Sequence, residues 1–200
     1  MNLKTIQISL FAYNTPMKRL FLGLPLPPEQ KEEIQAFLEP YRIHPSLKNA
    51  KWVPPENFHL TTLFLGEVPE ILVPEIQALA KAVCAKMPLF TLHPKRISLF
   101  PEKGMAKMIW LKFERSLEFQ ELCNELLRFI KPSLPDLEVK ESIAHLTLAR
   151  FRTHIPGESL HFKPINISPF EVKESILFES TKNGENPIYI DFEHYPHDLR

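Results

Sequence analysis

Two β-prone segments of this 200-residue chain contain the same motif, a histidine followed two positions later by a threonine. The pairs are His59 with Thr61 and His145 with Thr147. Residues two apart on a strand point to the same side, so each strand presents an imidazole and a hydroxyl together, with its leucines turned the other way. Two such pairs predict a site with two proton-transfer groups and two hydroxyl donors. This arrangement suits chemistry on an anionic, oxygen-rich group, and a phosphate is the leading candidate.

The hydrophobic pattern predicts an alternation of strands and helices around the two motifs. Strands are predicted over 18–24, 58–65, 90–99, 106–113, 143–151, 170–179 and 187–192. Helices are predicted over 29–39, 74–87 and 116–131, and loops over 41–55 and 153–169. Pro40 is expected to end the first helix, Gly66 to close the first motif strand and Ser116 to cap the third helix. An Asn-Gly pair in 182–185 predicts a hairpin turn.

The two histidines are 86 residues apart, a separation that fits a duplicated lobe of modest size. A strand, a helix and a motif strand occupy 18–66, and a second helix and motif strand occupy 116–151. We therefore predict one α+β domain over residues 17–200, with two lobes whose sheets face each other across a cleft. Residues 1–16 are expected to be an extension outside this core.

Charge and glycine content restrict the ligands. Lys+Arg and Asp+Glu are 24 each, so the chain lacks the basic excess of proteins that track long nucleic acids. If nucleic acid is the ligand, we expect a short piece or an end, bound by a local basic lining. Only 5 of 200 residues are glycine, and no Gly-rich phosphate loop is present, which disfavours nucleoside-triphosphate binding of the Walker or Rossmann type.

Neither a membrane span nor a secretory signal is predicted, and we expect a cytoplasmic protein. Cys84 and Cys123 fall in helix-like segments without metal-ligand spacing. They are expected to be buried, reduced thiols, with a disulfide between them left as an alternative.

Two histidines flanking a phosphodiester supply both halves of a hydrolysis. A neutral imidazole takes a proton from water while an imidazolium opposite gives one to the leaving oxygen, and imidazole has both forms available near neutrality. The threonine hydroxyls donate to the non-bridging oxygens. This chemistry requires no metal or cofactor, and two histidines with two alcohols make a poor zinc site.

The motifs and their flanks resemble the 2H phosphoesterase superfamily, and more closely the RNA 2′,3′-cyclic phosphodiesterases, also called 2′–5′ RNA ligases. The matching segments are 18–21 (Lys-Arg-Leu-Phe), 52–61 (Trp-Val-Pro-Pro-Glu-Asn-Phe-His-Leu-Thr), 63–68, 99–101, 109–110, 145–150 (His-Leu-Thr-Leu-Ala-Arg) and 177–180. The resemblance covers about residues 18–192.

This resemblance implies a bilobal fold of two antiparallel sheets related by a pseudo-twofold axis, with helices outside and the motif residues in a central cleft. It implies a monomer that hydrolyses 2′,3′-cyclic phosphates, on RNA 3′ ends or small nucleotides, to 2′-phosphates without metal. Arg150 occupies the position of a phosphate-binding arginine. The alternatives are 2′–5′ ligation, another cyclic or 2′–5′ nucleotide phosphodiesterase activity, or a non-catalytic RNA-end-binding module.

At three positions, strand alternation or the resemblance leaves the orientation or the role of the side chain open. Strict alternation places Arg150 on the face opposite His145, so it reaches the site only if the strand twists or bulges. Thr62 replaces a usual hydrophobic residue and should face away from the cleft at a small packing cost. Leu22 stands where proteins of the resembled family often carry a second aromatic residue, so the resemblance does not predict base stacking at this position.

The remaining candidates are weaker. Packing roles are predicted for Trp52, Trp110 and Phe100, and surface or packing roles for His44, His93, His154, His161, His194 and His197. A basic rim around the cleft, or simple solvent exposure, is predicted for Lys51, Arg96, Lys107 and Arg152.

Overall fold

The computed structural model describes residues 15–139, 142–183 and 186–198. The predicted extension therefore lies almost wholly outside the described residues, as does half of the predicted hairpin turn. Among the described residues, no helix is both long and apolar enough to cross a membrane.

The strands in these ranges are β1 (Met17–Pro25), β2 (Ala50–Trp52), β3 (His59–Pro69), β4 (Phe90–Leu92), β5 (Pro94–Phe100), β6 (Met105–Phe113), β7 (His145–Pro156), β8 (Phe170–Val172), β9 (Glu174–Asn183) and β10 (Asn186–Pro196). The α-helices are α1 (Pro28–Arg42), α2 (Val73–Cys84) and α3 (Leu117–Ile130). Short 3-10 turns lie at Pro45–Leu47, Pro55–Asn57 and Glu70–Leu72.

The main sheet is antiparallel and runs in the order β10-β9-β1-β3-β7-β6-β5, with β2 also paired to β7. Its two motif strands, β3 and β7, are paired at Leu60 and Leu146. A separate antiparallel pair joins β4 and β8. The predicted α+β class and antiparallel sheets are confirmed.

The core lies on the face of the sheet away from the motif histidines. Leu20, Leu22 and Leu24 of β1 are fully buried there. So are the residues on the inner faces of two helices: Ile76, Ala80 and Cys84 of α2 and Leu122, Leu126 and Ile130 of α3. Burying one such leucine contributes roughly 1.5–3 kcal/mol, so this layer stabilises the sheet that contains the motif strands. The predicted cap of α3 is present, since the Ser116 hydroxyl accepts a hydrogen bond from the Phe119 amide at 3.1 Å.

Two predicted element ends are wrong. Pro40 lies inside α1, which continues to Arg42. A proline in the last turn removes one backbone hydrogen bond, while Ile34 and Leu38 on the buried face still anchor the helix. Gly66 does not close β3, because the strand passes through it to Pro69 at a register shift where Gly66 has φ +74°.

Four predicted segments are divided differently in the structure. The strand predicted over 90–99 is two strands, β4 and β5, and the strand predicted over 170–179 is also two, β8 and β9. In both cases the two strands belong to different sheets. The loop predicted over 41–55 contains β2, and β7 continues into the loop predicted over 153–169. β2 and β4 have only three residues each and pair with β7 and β8, which are distant in sequence, so local hydrophobic patterning does not register them.

Candidate active site

The pairing of Leu60 with Leu146 brings the two motifs together. Both leucines are buried, at 0% and 1% exposure, on the core face. Antiparallel pairing at this point places His59 next to Thr147, and Thr61 next to His145, on the opposite face. The sequence predicted the contents of each pair, and the register assembles all four side chains into one group.

These side chains line a single cleft of about 390 Å³. Its lining comprises Arg19, Phe21, Lys51, Trp52, Val53, Pro54, Asn57, His59, Thr61, Phe64, His145, Thr147, Arg150, Ser180, Pro187 and Tyr189. Every residue predicted for the site is therefore present in one cleft, whose volume suits a nucleotide-sized ligand.

Both imidazoles are oriented by the same local contact. His59 Nδ1 lies 2.8 Å from the carbonyl oxygen of Asn57, and His145 Nδ1 lies 2.7 Å from that of Ile143. A carbonyl only accepts, so each Nδ1–H donates and each Nε2 is left without this proton in the neutral ring. The structure thereby provides two equivalent Nε2 atoms for proton transfer.

Burial and nearby positive charge favour the neutral form of both rings. Burial lowers the pKa of His59 to about 4, with smaller contributions from His145 and Arg150 and an opposing one from the Asn57 hydrogen bond. Burial also lowers the pKa of His145, again with a contribution from Arg150 and against its hydrogen bond to Ile143. A bound anion between the rings would counter both effects and make protonation easier.

Aromatic side chains hold His59 from one side. The ring centroids of Phe21 and Tyr189 lie 4.7 Å and 5.0 Å from it, with Tyr189 perpendicular to the imidazole. Phe178 lies 5.6 Å away and stacks on Phe21. This packing restricts rotation of the His59 ring.

His145 is backed by Trp110, whose ring centroid lies 5.1 Å away. Trp110 is buried, donates from Nε1 to the Ser98 hydroxyl at 2.9 Å and packs against Phe100. Trp110 and Phe100 therefore have the predicted packing roles. Trp52 is half-buried at the cleft, with the Arg42 guanidinium 5.2 Å from its ring centroid.

Gly23 leaves room for the His59 ring. A Cβ at this position would lie 2.9 Å from the Leu60 carbonyl oxygen, 3.4 Å from a Phe178 ring carbon and 3.5 Å from His59 Cδ2. The first distance is shorter than side chains tolerate, and the contacted atom is backbone. A glycine inside a strand is a sequence signal for such close approach, but it does not identify the neighbour.

A β-bulge brings the Arg150 side chain to the cleft face of β7. Ile109 pairs with Ala149, whereas Trp110 pairs with Thr147, so Leu148 is an extra residue in β7. Leu148 and Ala149 are both buried, and the alternation of faces shifts by one. Arg150 consequently shares the cleft face with His145 and Thr147.

The same irregularity occurs in β3. Leu22 pairs with Leu63, whereas Gly23 pairs with Thr61, so Thr62 is the extra residue. The bulge turns Phe64 into the cleft at the position that Arg150 has in β7. The two strands therefore present different side chains at equivalent positions of the cleft, an arginine from β7 and a phenylalanine from β3.

Thr62 faces the core as predicted. The expected cost of this residue was a small loss of packing, whereas the cost in the structure is an unsatisfied hydroxyl. Its hydroxyl is buried and has no hydrogen-bond partner among the described residues. Leu22 is fully buried on the core face, so that position does not line the cleft.

The cleft carries positive charge although the chain is neutral overall. Arg19, Lys51 and Arg150 line it, and no Asp or Glu is among its described lining residues. Lys51 therefore belongs to the predicted basic rim. The other candidates, Arg96, Lys107 and Arg152, do not line the cleft, and Arg96 pairs with Glu102.

The remaining histidines and cysteines lie outside the cleft. Of the six other histidines, His197 is buried and shares a 3.0 Å hydrogen bond with Ser175, while the rest are exposed or half-buried. Cys84 and Cys123 are buried and free. Within the described ranges, no three His, Cys, Asp or Glu side chains form a cluster able to hold a metal ion.

Sequence reasoning did not identify Asn57 and Tyr189 as parts of the site. The Asn57 backbone orients His59, and its side chain donates to the Pro187 carbonyl at 2.9 Å, which ties β10 to the first motif. Tyr189 reaches His59 from a strand 130 positions away, and no local pattern indicates that contact.

Comparison with known proteins gives a consistent set of relatives. The family model described as LigT like Phosphoesterase matches residues 24–110. The RNA 2′,3′-cyclic phosphodiesterase of Methanocaldococcus jannaschii is 31% identical over 86% of this chain and 96% of its own. That of Thermus thermophilus is 30% identical over 88% of this chain and 89% of its own.

Solved structures share the fold. The protein TT0787 of Thermus thermophilus superposes with a TM-score of 0.78 at 26% identity, over 90% of this chain and 98% of that one. LigT of E. coli, solved with NADP+, gives a TM-score of 0.76 at 23% identity, over 91% and 99%.

Proposed function

Since this chain belongs to the LigT-like (2H) phosphoesterases, the family of the RNA 2′,3′-cyclic phosphodiesterases, we propose that it hydrolyses the 2′,3′-cyclic phosphate of RNA ends to a 2′-phosphate. The proposed mechanism is two-histidine acid–base catalysis without a metal ion. Membership makes the chain an enzyme rather than a binding module alone. The observation that carries the proposal is the common cleft of His59 and His145, each with its Nδ1 bound to a backbone carbonyl.

In the proposed reaction, one neutral imidazole accepts a proton at Nε2 from water as the water oxygen attacks phosphorus. The bond from phosphorus to the ribose 3′ oxygen breaks, and that oxygen takes a proton from Nε2 of the other histidine, which begins as imidazolium. The products are a 2′-phosphate and a 3′-hydroxyl, and proton exchange with solvent restores both rings. Each positioned proton transfer contributes about 10²–10⁴ in rate.

The other polar groups of the cleft act on the phosphate oxygens. Thr61 and Thr147 donate hydroxyl hydrogen bonds to the non-bridging oxygens, where negative charge increases during attack. Arg150 compensates the charge of the phosphodiester from the same face. The phosphate in turn raises the depressed pKa of the histidines, so substrate binding favours the singly protonated pair that the reaction requires.

A substrate panel tests this proposal. Wild type is expected to convert adenosine 2′,3′-cyclic phosphate and a cyclic-ended oligoribonucleotide to 2′-phosphates, identified by phosphorus NMR, with unchanged rates in EDTA. His59→Ala and His145→Ala should each lower kcat by at least about 10²-fold with native circular dichroism. Near-normal turnover by either variant, a 3′-phosphate product, or loss of activity with chelator would contradict the mechanism. A 2′–5′ oligoadenylate and a tRNA half-molecule pair in the same panel test the alternative substrate and the ligase reaction.

A further inference from the structure

Lys51 and Arg150 are directly opposite each other in the antiparallel pairing of β2 with β7. Residues paired in this way share one face of the sheet, so both side chains extend into the cleft, and Lys51 is half-buried there. Like charges in this relationship destabilise a sheet unless another charge compensates them. No described residue forms an ion pair with either side chain, and no described carboxylate lines the cleft. Among the described residues, no carboxylate therefore neutralises this pair of positive charges.

The proposed substrate cannot neutralise this charge through its reacting group. A cyclic phosphodiester carries one negative charge, which Arg150 alone balances. Arg19 is already engaged, since its guanidinium lies 3.9 Å from a Glu67 carboxylate oxygen and 5.0 Å from the centroid of the Phe64 ring. Of the cations that line the cleft, Lys51 then remains without an anionic partner among the described residues.

We propose that Lys51 binds a second phosphate of the substrate, the one attached to the 5′ oxygen of the terminal ribose. This inference rests on the proposed function, because it takes the cyclic phosphate to occupy the site between the two histidines. A cyclic phosphate uses both the 2′ and the 3′ oxygen, so the next phosphate of the same molecule is joined through the 5′ oxygen. That phosphate is a chain phosphodiester in an RNA end and a monoester in a 5′-phosphorylated nucleotide.

Backbone hydrogen bonds between β2 and β7 fix the position of Lys51 at the cleft, where it can bind the second phosphate. β2 pairs with β7 on the side where β3 diverges from it, and the Val53 amide donates to the Leu148 carbonyl at 2.8 Å. The segment that leads into the first motif is thereby attached to the second motif strand. Lys51 selects substrates by charge beyond the reacting group and is a specificity-determining residue.

The test compares three substrates: adenosine 2′,3′-cyclic phosphate, the same nucleotide with a 5′-phosphate, and an adenosine dinucleotide with a cyclic end and a free 5′-hydroxyl. Wild type is expected to show a lower KM for a substrate with a second phosphate. Lys51→Met, which keeps the aliphatic stem, should raise that KM about tenfold more than the KM of the one-phosphate substrate. The slope of log KM against the logarithm of the salt concentration should decrease in this variant by about one, the amount expected for one lost phosphate contact.

Lys51→Arg should restore most of the difference, and Lys107→Met is the control, because Lys107 is exposed and does not line the cleft. Preference for the dinucleotide identifies an RNA chain as the source of the second phosphate, and preference for the 5′-monoester identifies a nucleotide. An equal effect of Lys51→Met on all three substrates, or no advantage of a second phosphate in wild type, overturns the proposal.

A binding measurement separates this proposal from the catalytic one. The dissociation constants of adenosine 2′-phosphate and adenosine 2′,5′-bisphosphate are measured by calorimetry for wild type and Lys51→Met. If no substrate is turned over, the proposed function fails, while the bisphosphate-to-monophosphate affinity ratio still decides the role of Lys51. A ratio that is the same in both proteins rules out a second phosphate site at Lys51.

Discussion

Leu60 of β3 lies opposite Leu146 of β7, and each leucine separates the histidine from the threonine of its own motif. This backbone pair is a local twofold centre, because antiparallel strands are exchanged by rotation about such a pair. The rotation relates His59 to His145 and Thr61 to Thr147. The symmetry does not extend to all side chains further along the strands, because Phe64 of β3 occupies the position that Arg150 occupies in β7. The cleft therefore has equivalent proton-transfer groups and different side chains beyond them.

Adjacent threonines in β3 should respond in opposite ways to the same substitution. Thr61→Val removes a cleft hydroxyl and is expected to lower kcat about 10²-fold or more with little change in stability. Thr62→Val removes a buried hydroxyl without a partner and is expected to raise the free energy of unfolding by about 1 kcal/mol with normal kcat. Urea unfolding and steady-state kinetics on both variants check this. A stability loss in Thr62→Val would show that its hydroxyl is satisfied.

Crowding at Gly23 should affect the His59 ring. Gly23→Ala is expected to lower kcat at least tenfold and to destabilise the fold by about 1–3 kcal/mol, since the new methyl meets the Leu60 carbonyl oxygen. Gly104→Ala is the matched control, because it also costs stability, through a φ of +78°, but has open space and lies outside the cleft. Its kcat should be unchanged. Equal kcat values for both variants would remove the positioning role of Gly23.

The two motif histidines should titrate in a definite order in the free protein. Burial lowers both pKa values, to about 4 for His59 and less far for His145. As pH falls, His145 should therefore gain its proton first, below its ordinary pKa of 6.5, and His59 only near pH 4. Proton NMR of the ring Cε1–H signals measures this, with assignments from the His59→Asn and His145→Asn variants. Added inorganic phosphate is expected to move both midpoints upward, and an unchanged midpoint for His59 would show that the anion does not bind between the rings.

The same pKa values predict an acidic optimum for kcat/KM. This parameter follows the free enzyme, whose singly protonated pair is most populated above about pH 4, the pKa of His59, and below the lowered pKa of His145. Above that window both rings are neutral, so kcat/KM should decline as pH rises. The kcat profile should lie at higher pH, because bound phosphate raises the histidine pKa values. Coincident profiles would contradict this effect of the ligand.

Protonation of these rings should also destabilise the fold. A histidine whose folded-state pKa is below 6.5 binds protons more readily in the unfolded chain, so stability is lost as pH falls from 6.5 toward the folded-state value. The His59 ring accounts for at most about 3–4 kcal/mol of this loss, at about 1.4 kcal/mol per pKa unit. Urea unfolding at about pH 7 and about pH 4.5 should show a smaller loss in His59→Asn than in wild type. An equal loss in both proteins would show that His59 keeps its ordinary pKa in the fold.

The local sequence was sufficient to predict those features that depend on a single segment of the chain. The repeated His-x-Thr pattern identifies the four motif side chains and their shared faces, since a strand alternates whatever its neighbours are. The helix stripes and the Ser116 cap are local for the same reason. Pro40 and Gly66 show the limit even here, because buried neighbours and a bulge carried the chain through residues that usually end an element.

Tertiary structure decided what two segments do together. The bulge at Leu148 depends on hydrogen bonds to β6, and without it Arg150 would face the core side of the sheet. The opposition of Lys51 to Arg150 arises because β2 pairs with a strand almost a hundred residues later in the chain. The chemical groups that this protein can offer to a phosphate follow from side-chain identity and strand alternation, which are local properties of the sequence. The spacing of these groups, the lowered pKa values of the two histidines and the positive charge of the cleft follow from the register between distant strands, because distances, burial and electrostatic fields depend on every segment that packs there.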